Sequence, residues 1–369
     1  MRYSVRAVCD SRTMKDFLRL PCEIYRGDPT WVPSIASEVR RVLDSERNPY
    51  FVDASLELFI CYAAARPLAR TAVVINRVHW EKFSDLAAFF GFFESVNDDQ
   101  AVQCLFGEVG RLARSRGATS LEGPFNPNHY SELGLQINRF GTSPAFFQAY
   151  NPAFYPELLE SAGFRPVKIL HTRRNEHIRE YVRSRYRSEC PVTASGGYTV
   201  RSFNMRDFDG ELERIREVFN DAFASNWHFL PLTRGEYLFS AKFLNLVTLP
   251  ELITIVEQKG EPVGVLECVL DINPLLRAWN GRIGPLKYLN FLRTRKRIRN
   301  LIIYAVGIKK AFQGTRVYKL LLDSACRLAL NYDTLETTWM SNENLLALRA
   351  AGHLGLERDK EFAIYRRDL

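Results

Sequence analysis

Near residues 184–198 the stretch "SRYRSECPVTASGGYTV" breaks all strand and helix periodicity, and the two stretches it separates read alike. Ser, Pro and Gly clusters of this kind behave as linkers. Each flank opens with a strand ("YSVRAV"; "YTVRSF") and a helical stretch ("TMKDFLRLPCEIY"; "ELERIREVFNDAF"). Strands follow in both, "ELFICYAAARPLARTAVVINR" with "AAFFGFFES", and "ITIVEQKGEPVGVLECVLD" with "NLIIYAVGI". Then come a helix ("DDQAVQCLFGEVGRLARSRG"; "VYKLLLDSACRLAL"), a strand, and a closing helix–strand unit ("YPELLESAGFRPVKIL"; "LLALRAAGHLGLERDKEFAIYRR"). The expectation is two α/β units, residues 1–187 and 198–369, related by a duplication that survives as pattern rather than identity. A length of 369 residues accommodates both.

The 46% apolar and 25% charged fractions are those of a soluble globular protein. No apolar stretch reaches the roughly 18–20 residues that span a bilayer. The opening "MRYSVRAVCDSRTMKDF" alternates like a strand rather than carrying the apolar segment of a signal peptide. Seven scattered cysteines form no CxxC pair, which argues for a reducing cytoplasm and against a disulfide framework or a zinc site. No metal is expected.

The net charge of +8 is unevenly spread. No acidic residue lies between Asp271 and Asp323, a span that carries Arg293, Arg295, Lys296, Arg297, Arg299, Lys309, Lys310 and Arg316. Such a field attracts polyanions. Nucleic acid, an anionic membrane or cofactor phosphates are the candidates beside a merely solvated face. No nucleic-acid reading motif accompanies it, so nucleic acid is not expected as a partner. Residues 274–300, "PLLRAWNGRIGPLKYLNFLRTRKRIRN", mix Trp279, Tyr288, Phe291 and leucines with basic residues. That mixture suits an anionic membrane interface, and peripheral association with the inner membrane face is the expectation.

"YAVGIKKAFQGTRVYKLLLDSACRLAL", residues 304–330, runs from a β-branched strand through a basic turn into an amphipathic helix. The free N–H groups and positive dipole end of a helix N-terminus bind phosphate oxygens. Lys309, Lys310 and Arg316 supply countercharge, and the strand end can pair with an extended amide-bearing arm. A phosphorylated cofactor with such an arm fits, and coenzyme A is one.

The same stretch resembles motif A of the GCN5-related N-acetyltransferase (GNAT) superfamily, Gln/Arg-x-x-Gly-x-Gly/Ala, laid on Gln313, Gly314, Thr315, Arg316, Val317 and Tyr318. Arg316 and Tyr318 stand where the family has small residues. The resemblance is closer to bacterial double-GNAT proteins, a subgroup that includes bacterial ceramide synthases. It rests on "YRGDPTWVPSIASEVRRVLDSERNPYF", "GFFES", "GPFNPNHYSELGLQINRFGTSPAFFQAYNPAFYPELLESAGF", "NDAFASNWHFLPLT" (His228 replacing Gly) and "LDINPLL" (Leu270 replacing Pro). It implies tandem GNAT-like α/β domains, each a mixed twisted sheet flanked by helices. It implies acyl-CoA as co-substrate, held by Val306, Gly307, Ile308, Gln313, Gly314, Thr315, Arg316 and Val317. The implied activity is N-acylation of an amine, foremost a lipophilic amine such as a sphingoid base; an acyl carrier protein is a further candidate partner.

Acyl transfer from a thioester to an amine needs alignment, oxyanion donors and a base for the ammonium proton. Glu132 and His129 share the Pro/Asn-rich "NPNHYSELG", where an acid and an imidazole can converge on an amine. Glu267 and Asp271 lie along and at the end of "VGVLECVLDIN" and are the other candidate bases. Tyr130, Asn226, Trp227 and Asn273 are candidates for the acceptor pocket. The family's tyrosine acid is replaced by Leu159 in one half and Ala351 in the other. The first half's counterpart of the basic turn, "FFESVNDDQAV", is acidic. The second half alone is therefore expected to hold the cofactor, with the first half as a wall of the substrate cleft. Competing readings are acetylation of a small soluble amine, or a non-catalytic GNAT-fold protein that docks on a membrane or acyl carrier protein.

Overall fold

The structure, a computed structural model, describes residues 2–186 and 194–369. The middle of the linker, with Cys190, lies outside the described residues. The chain divides into two compact units: Met1–Leu170 with Asn273–Ile283 and Lys360–Leu369, and His171–Ile272 with Gly284–Asp359.

The first unit begins with β1 (Tyr3–Ala7) and α1 (Ser11–Ile24). Asp10 caps α1 by accepting from Thr13 N–H at 2.7 Å, and Thr13 Oγ1 returns the favour to Asp10 N–H at 3.2 Å. After α2 (Ala36–Val42) come β2 (Ala54–Ala63), β3 (Arg66–Asn76), α3 (Arg77–Phe83) and β4 (Ala87–Ser95). Helix α4 (Asp99–Ser115) buries Ala101, Val102, Leu105, Phe106, Val109 and Ala113, a helical-period stripe, against Phe90, Phe93 and Leu121. Short strands β5 (Ser120–Gly123), β6 (Phe125–Asn126), β7 (Glu132–Leu133) and β8 (Leu135–Gln136) precede α5 (Tyr155–Ser161) and β9 (Arg165–Asn175). Strands β1 to β5 lie in sequence order, antiparallel except for the parallel pair β4·β5.

The second unit repeats this order. It holds α6 (Ile178–Arg185), β10 (Ala194–Ser195), β11 (Tyr198–Ser202), α7 (Phe208–Ala222), α8 (Arg234–Val247), β12 (Ile253–Gln258) and β13 (Glu261–Leu270). Helix α9 (Asn273–Ala278) belongs to the first unit, after which α10 (Pro285–Thr294) and β14 (Asn300–Ile308) resume the second. Then follow α11 (Arg316–Ala329), β15 (Thr334–Thr337), β16 (Met340–Ser341), α12 (Leu345–His353) and β17 (Glu357–Asp368). β10 to β14 form an antiparallel run and β14·β15 is again the parallel pair.

Each unit takes an outer strand from beyond the stretch predicted for it. In the first, β17 pairs antiparallel with β5, Tyr365 facing Gly123 and Arg366 facing Glu122. Arg366 bridges Asp85 at 2.9 Å and Glu122 at 3.0 Å. In the second, the end of β9 pairs with β15, Leu335 facing Asn175 and Glu336 facing Arg174, the last pair joined by an ion pair of 3.2 Å. The predicted element order is thus present twice, but residues 273–283 and 360–369 fold with the first unit rather than the second, and residues 171–186 with the second rather than the first.

The terminal strand is therefore part of the first unit's core. Phe362, Ile364 and Tyr365 are each at most 2% exposed. Replacing Phe362 by Ala is expected to cost about 3–5 kcal/mol in urea unfolding, with hydrogen-exchange protection lost first along β5.

Candidate active site

Strands β14 and β15 pair from Asn300·Thr334 to Ile303·Thr337; β15 then stops, while β14 runs on to Ile308. Thr338 closes the base of this fork, its N–H donating to Ile303 O at 3.1 Å and its hydroxyl to Tyr304 O at 2.9 Å. On its other edge β14 carries a bulge: Glu267 of β13 faces Ala305 and Cys268 faces Ile303, so Tyr304 is the extra residue. Bulges re-aim side chains and strengthen local twist.

Glu267 sits at this bulge. A glutamate on a strand is ordinarily exposed, yet this one is only 4% exposed. Side-chain alternation puts it on the face of Val265, which belongs to the apolar cluster of Ile215, Phe219 and Tyr237 under α7 and α8. Burial pushes its carboxyl up to about 7. Its Oε2 is buried with no hydrogen-bond partner among the described residues. Burial, and then the Glu267 charge, raise the hydroxyls of Tyr237 and Tyr304. Asp271, one residue past β13, is 8% exposed, and its N–H donates to Asn300 O at 3.0 Å.

The basic turn follows the open arm of the fork. Lys310 N–H donates to the Asp221 carboxylate at 2.5 Å, so one turn amide already takes an anion. Gly314 has φ 76°, a left-handed conformation that glycine adopts without strain. Thr315 caps α11, accepting from Val317 N–H at 3.4 Å. Gly307 keeps β14 against α7, because a Cβ there would lie 2.8 Å from the Phe219 ring. Val306 is 38% exposed and Ile308 is buried. Gln313 and Arg316 are exposed; the Arg316 guanidinium lies over Gly196, 3.2 Å from where a Cβ would stand. These are residues that fit a phosphate-bearing co-substrate: an anion-accepting turn, a capped helix start and three cations.

Asn226, Trp227 and His228 lie in the loop after α7. Asn220 clamps that loop from both sides of Leu232, accepting its N–H at 2.8 Å and donating to its carbonyl at 3.0 Å. Asn226 is exposed; the Trp227 and His228 rings are 4.3 Å apart. His228 has φ 54°, a left-handed position in which an L side chain is strained.

In the first unit the equivalent fork is filled by the chain itself. β4 and β5 pair from Ala87·Ser120 to Phe89·Glu122. Beyond that point a Cβ on Gly91 would lie 1.7 Å from Phe125 O, and one on Gly123 would lie 2.2 Å from Phe90 O. Phe92 N–H donates to Asn126 Oδ1 at 2.6 Å. Only glycine permits such contact. The helix that follows starts with an acid cap, Asp98 accepting from Ala101 N–H at 3.0 Å.

Glu132 stands on β7 opposite Asn126, whose Nδ2 donates to Glu132 Oε1 at 2.9 Å. Burial, then the Glu94 charge, push its carboxyl up to about 7. His129 is packed among rings, 4.1 Å from Phe125 and 4.9 Å from Phe89. Tyr130 N–H donates to Asn128 Oδ1 at 3.1 Å. Asn273 donates its amide to Pro144 O at 2.9 Å and so steadies the loop before α5. Among the site residues predicted from sequence, His129, Tyr130, Glu132 and Asn273 thus belong to the first unit, and the others to the second. Leu159 and Ala351, at the family's tyrosine positions, are both buried in packing.

Sequence reasoning missed a second polar centre, Glu94. It accepts from Tyr155 at 2.8 Å and Tyr25 at 2.9 Å, with Arg70 at 3.9 Å. Burial raises its carboxyl, and Arg70 with the two tyrosines opposes the shift. The available signal was an acid in "GFFES", at the end of an otherwise apolar strand. It also missed Asp221, Tyr237 and Tyr304.

The isolated burial of Glu267 makes stability depend on pH. The folded chain keeps that proton to about pH 7, while an ordinary glutamate releases it near 4.5. Between those values the unfolded state binds fewer protons, so stability falls as pH rises through that window. Glu267→Gln is expected to raise the melting temperature at pH 8 relative to wild type. The free-energy gain should be on the order of 2–3 kcal/mol, and differential scanning calorimetry at pH 5 should show little of it.

No protein-family model matches the chain. Over 99% of its length it is 26% identical to a protein of Caulobacter vibrioides named bacterial ceramide synthase, 97% of which is covered. It is 24% identical over 99% of its length to protein YghO of Escherichia coli, covering 95% of that protein. Among solved structures it resembles a tandem GNAT protein from the clavulanic acid biosynthesis pathway, with TM-score 0.58 and 11% identity over 100% of this chain and 98% of that one. A GCN5-related N-acetyltransferase from Sphaerobacter thermophilus gives 0.50 and 15%, covering 99% and 95%. These structural likenesses show the fold: with the forked second unit, the chain has a tandem GNAT-like α/β fold.

Proposed function

We propose that this protein transfers an acyl group from acyl-CoA to the amine of a lipophilic acceptor, a long-chain base of the sphingoid type. The observation that carries the acceptor is the nearly full-length similarity to a protein named bacterial ceramide synthase. The second unit supplies the donor site: Val306, Gly307 and Ile308 flank the amide-bearing arm, and the turn from Gln313 to Val317 takes the phosphates with Lys309 and Lys310. The first unit, its fork filled by Phe125 and its helix start acidic, holds no co-substrate and serves the acceptor.

In the reaction the amine nitrogen attacks the thioester carbonyl carbon, the new C–N bond replaces C–S, and coenzyme A leaves as a thiolate. One ammonium proton must go to a base. Glu267 is assigned that role because its carboxyl titrates near neutrality, where a general base works best. Asp271 is the second candidate base of that unit. Asn226 and Trp227 of the same unit are assigned to the acceptor; Glu132, with a similarly raised carboxyl, His129 and Tyr130 are the first unit's own polar candidates. Asn273 acts through the loop it holds. Such an acceptor resides in a bilayer, so peripheral association with an anionic membrane belongs to the same reading. An acyl carrier protein is the alternative donor.

The test is purified full-length protein given long-chain acyl-CoA and sphinganine, with acetyl-CoA and short soluble amines in parallel, read by mass spectrometry. N-acylated sphinganine is the expected product; product from the soluble amines alone would refute the lipophilic acceptor. Glu267→Gln should lower turnover by roughly 100-fold or more and remove the rise in rate through pH 7, leaving acyl-CoA affinity intact. By calorimetry, Arg316→Glu should weaken acyl-CoA binding about 10-fold or more, and Asp221→Asn should tighten it by removing a like charge from the turn.

A further inference from the structure

We infer that helix α10 is a docking element that lies in the surface of an anionic bilayer. Four of its ten residues are large hydrophobics facing solvent: Leu286, Tyr288, Leu289 and Leu292 are 84, 40, 45 and 37% exposed. At ~100° per residue these four occupy one arc of about 160°. Phe291, the one buried residue of α10, is 5% exposed and projects away from that arc. The stripe is therefore not a misassigned core face; the helix already has its inward residue, and a second apolar face points outward. Exposed apolar groups gathered this way mark an interaction surface.

Charge selects the occupant. Exposed Arg293, Lys296 and Arg297 follow the stripe, and no acid stands anywhere between Asp271 and Asp323. A second copy of the chain would set these cations against their own kind, because a twofold interface is self-complementary. A convex helix with leucines at its crest and cations at its end matches the boundary between acyl chains and anionic headgroups. No helix among the described residues is long and apolar enough to cross a membrane, so α10 lies on the bilayer rather than through it. This gives the membrane association of the proposed function a specific element, argued from the stripe and its charge without Glu267 or the basic turn.

Flotation of the full-length protein with vesicles tests it, using phosphatidylcholine alone against phosphatidylcholine mixed with phosphatidylglycerol. Wild type should float with the anionic vesicles only, and less so as salt rises. Leu286→Asn/Leu289→Asn and Arg293→Glu/Arg297→Glu should each lower partitioning by about 10-fold or more. Both should keep the wild-type melting temperature and the rate on a soluble, short-chain donor and acceptor pair. Equal flotation with neutral vesicles, or double variants that float like wild type, would overturn the inference. So would a wild type that ignores vesicles but binds an acidic acyl carrier protein through these residues, or one that pairs with itself through them. Loss of N-acyl transfer with flotation unchanged would instead count against the proposed reaction.

Discussion

Two parallel strands that cease to pair leave a wedge in a sheet, and most of this molecule is arranged around what becomes of two such wedges. In the first unit the backbone of Phe125 and Asn126 moves in against Gly91, and a side-chain amide from Asn126 satisfies the strand N–H of Phe92. In the second, β14 extends past the last rung with a bulge on its far edge, and the cations gather where it ends. Duplication supplied the same frame twice; two glycines in one copy and a buried acid in the other separate their uses.

Both copies bury carboxylates, but under opposite terms. Glu94 is held by two tyrosine hydroxyls with an arginine nearby, partners that oppose but do not cancel the rise burial imposes on its carboxyl, and they tie four segments of the chain together. Glu267 has apolar neighbours, and burial alone holds its proton to about pH 7; its charge in turn suppresses the ionisation of Tyr237 and Tyr304. A satisfied buried charge stiffens a structure, whereas one without a hydrogen-bond partner strains it. A carboxyl held this way on an otherwise well-packed strand is the kind of perturbed group that gathers at functional sites.

Much of this was legible in the sequence. Apolar periodicity located α4, α7 and α11 and the long strands, because burial of one face dictates the spacing of Phe, Leu and Val. The run "NLIIYAVGI" is β14 from its first residue to its last. Glu267 could be named as a candidate, since a carboxylate in "VGVLECVLD" is conspicuous, but neither its burial nor the bulge beside it has a local signature. Glu94 was hidden for a related reason: its partners Tyr25, Arg70 and Tyr155 are scattered along the chain, and an isolated glutamate says nothing of them. The outer strands were misplaced because alternation reveals which residues face inward, never which sheet edge a strand will join. The second helix of the basic segment, α10, was read as composition alone, since its outward stripe looks like an inward one until Phe291 is seen to be buried.

The pairing of β5 with β17 has a consequence for how the protein is made. Gly123 leaves the ribosome about 240 residues ahead of its partner Tyr365, and at 5–20 residues per second that interval is on the order of tens of seconds. Throughout it the edge of β5 presents unpaired amides and carbonyls beside a greasy core, the condition under which nascent chains pair with one another or with the wrong strand. The second unit's β15 has no such wait, because β9 has emerged before it. The order of synthesis thus makes the first unit the client of any holding chaperone, and the second unit free to close as soon as its own strands are out.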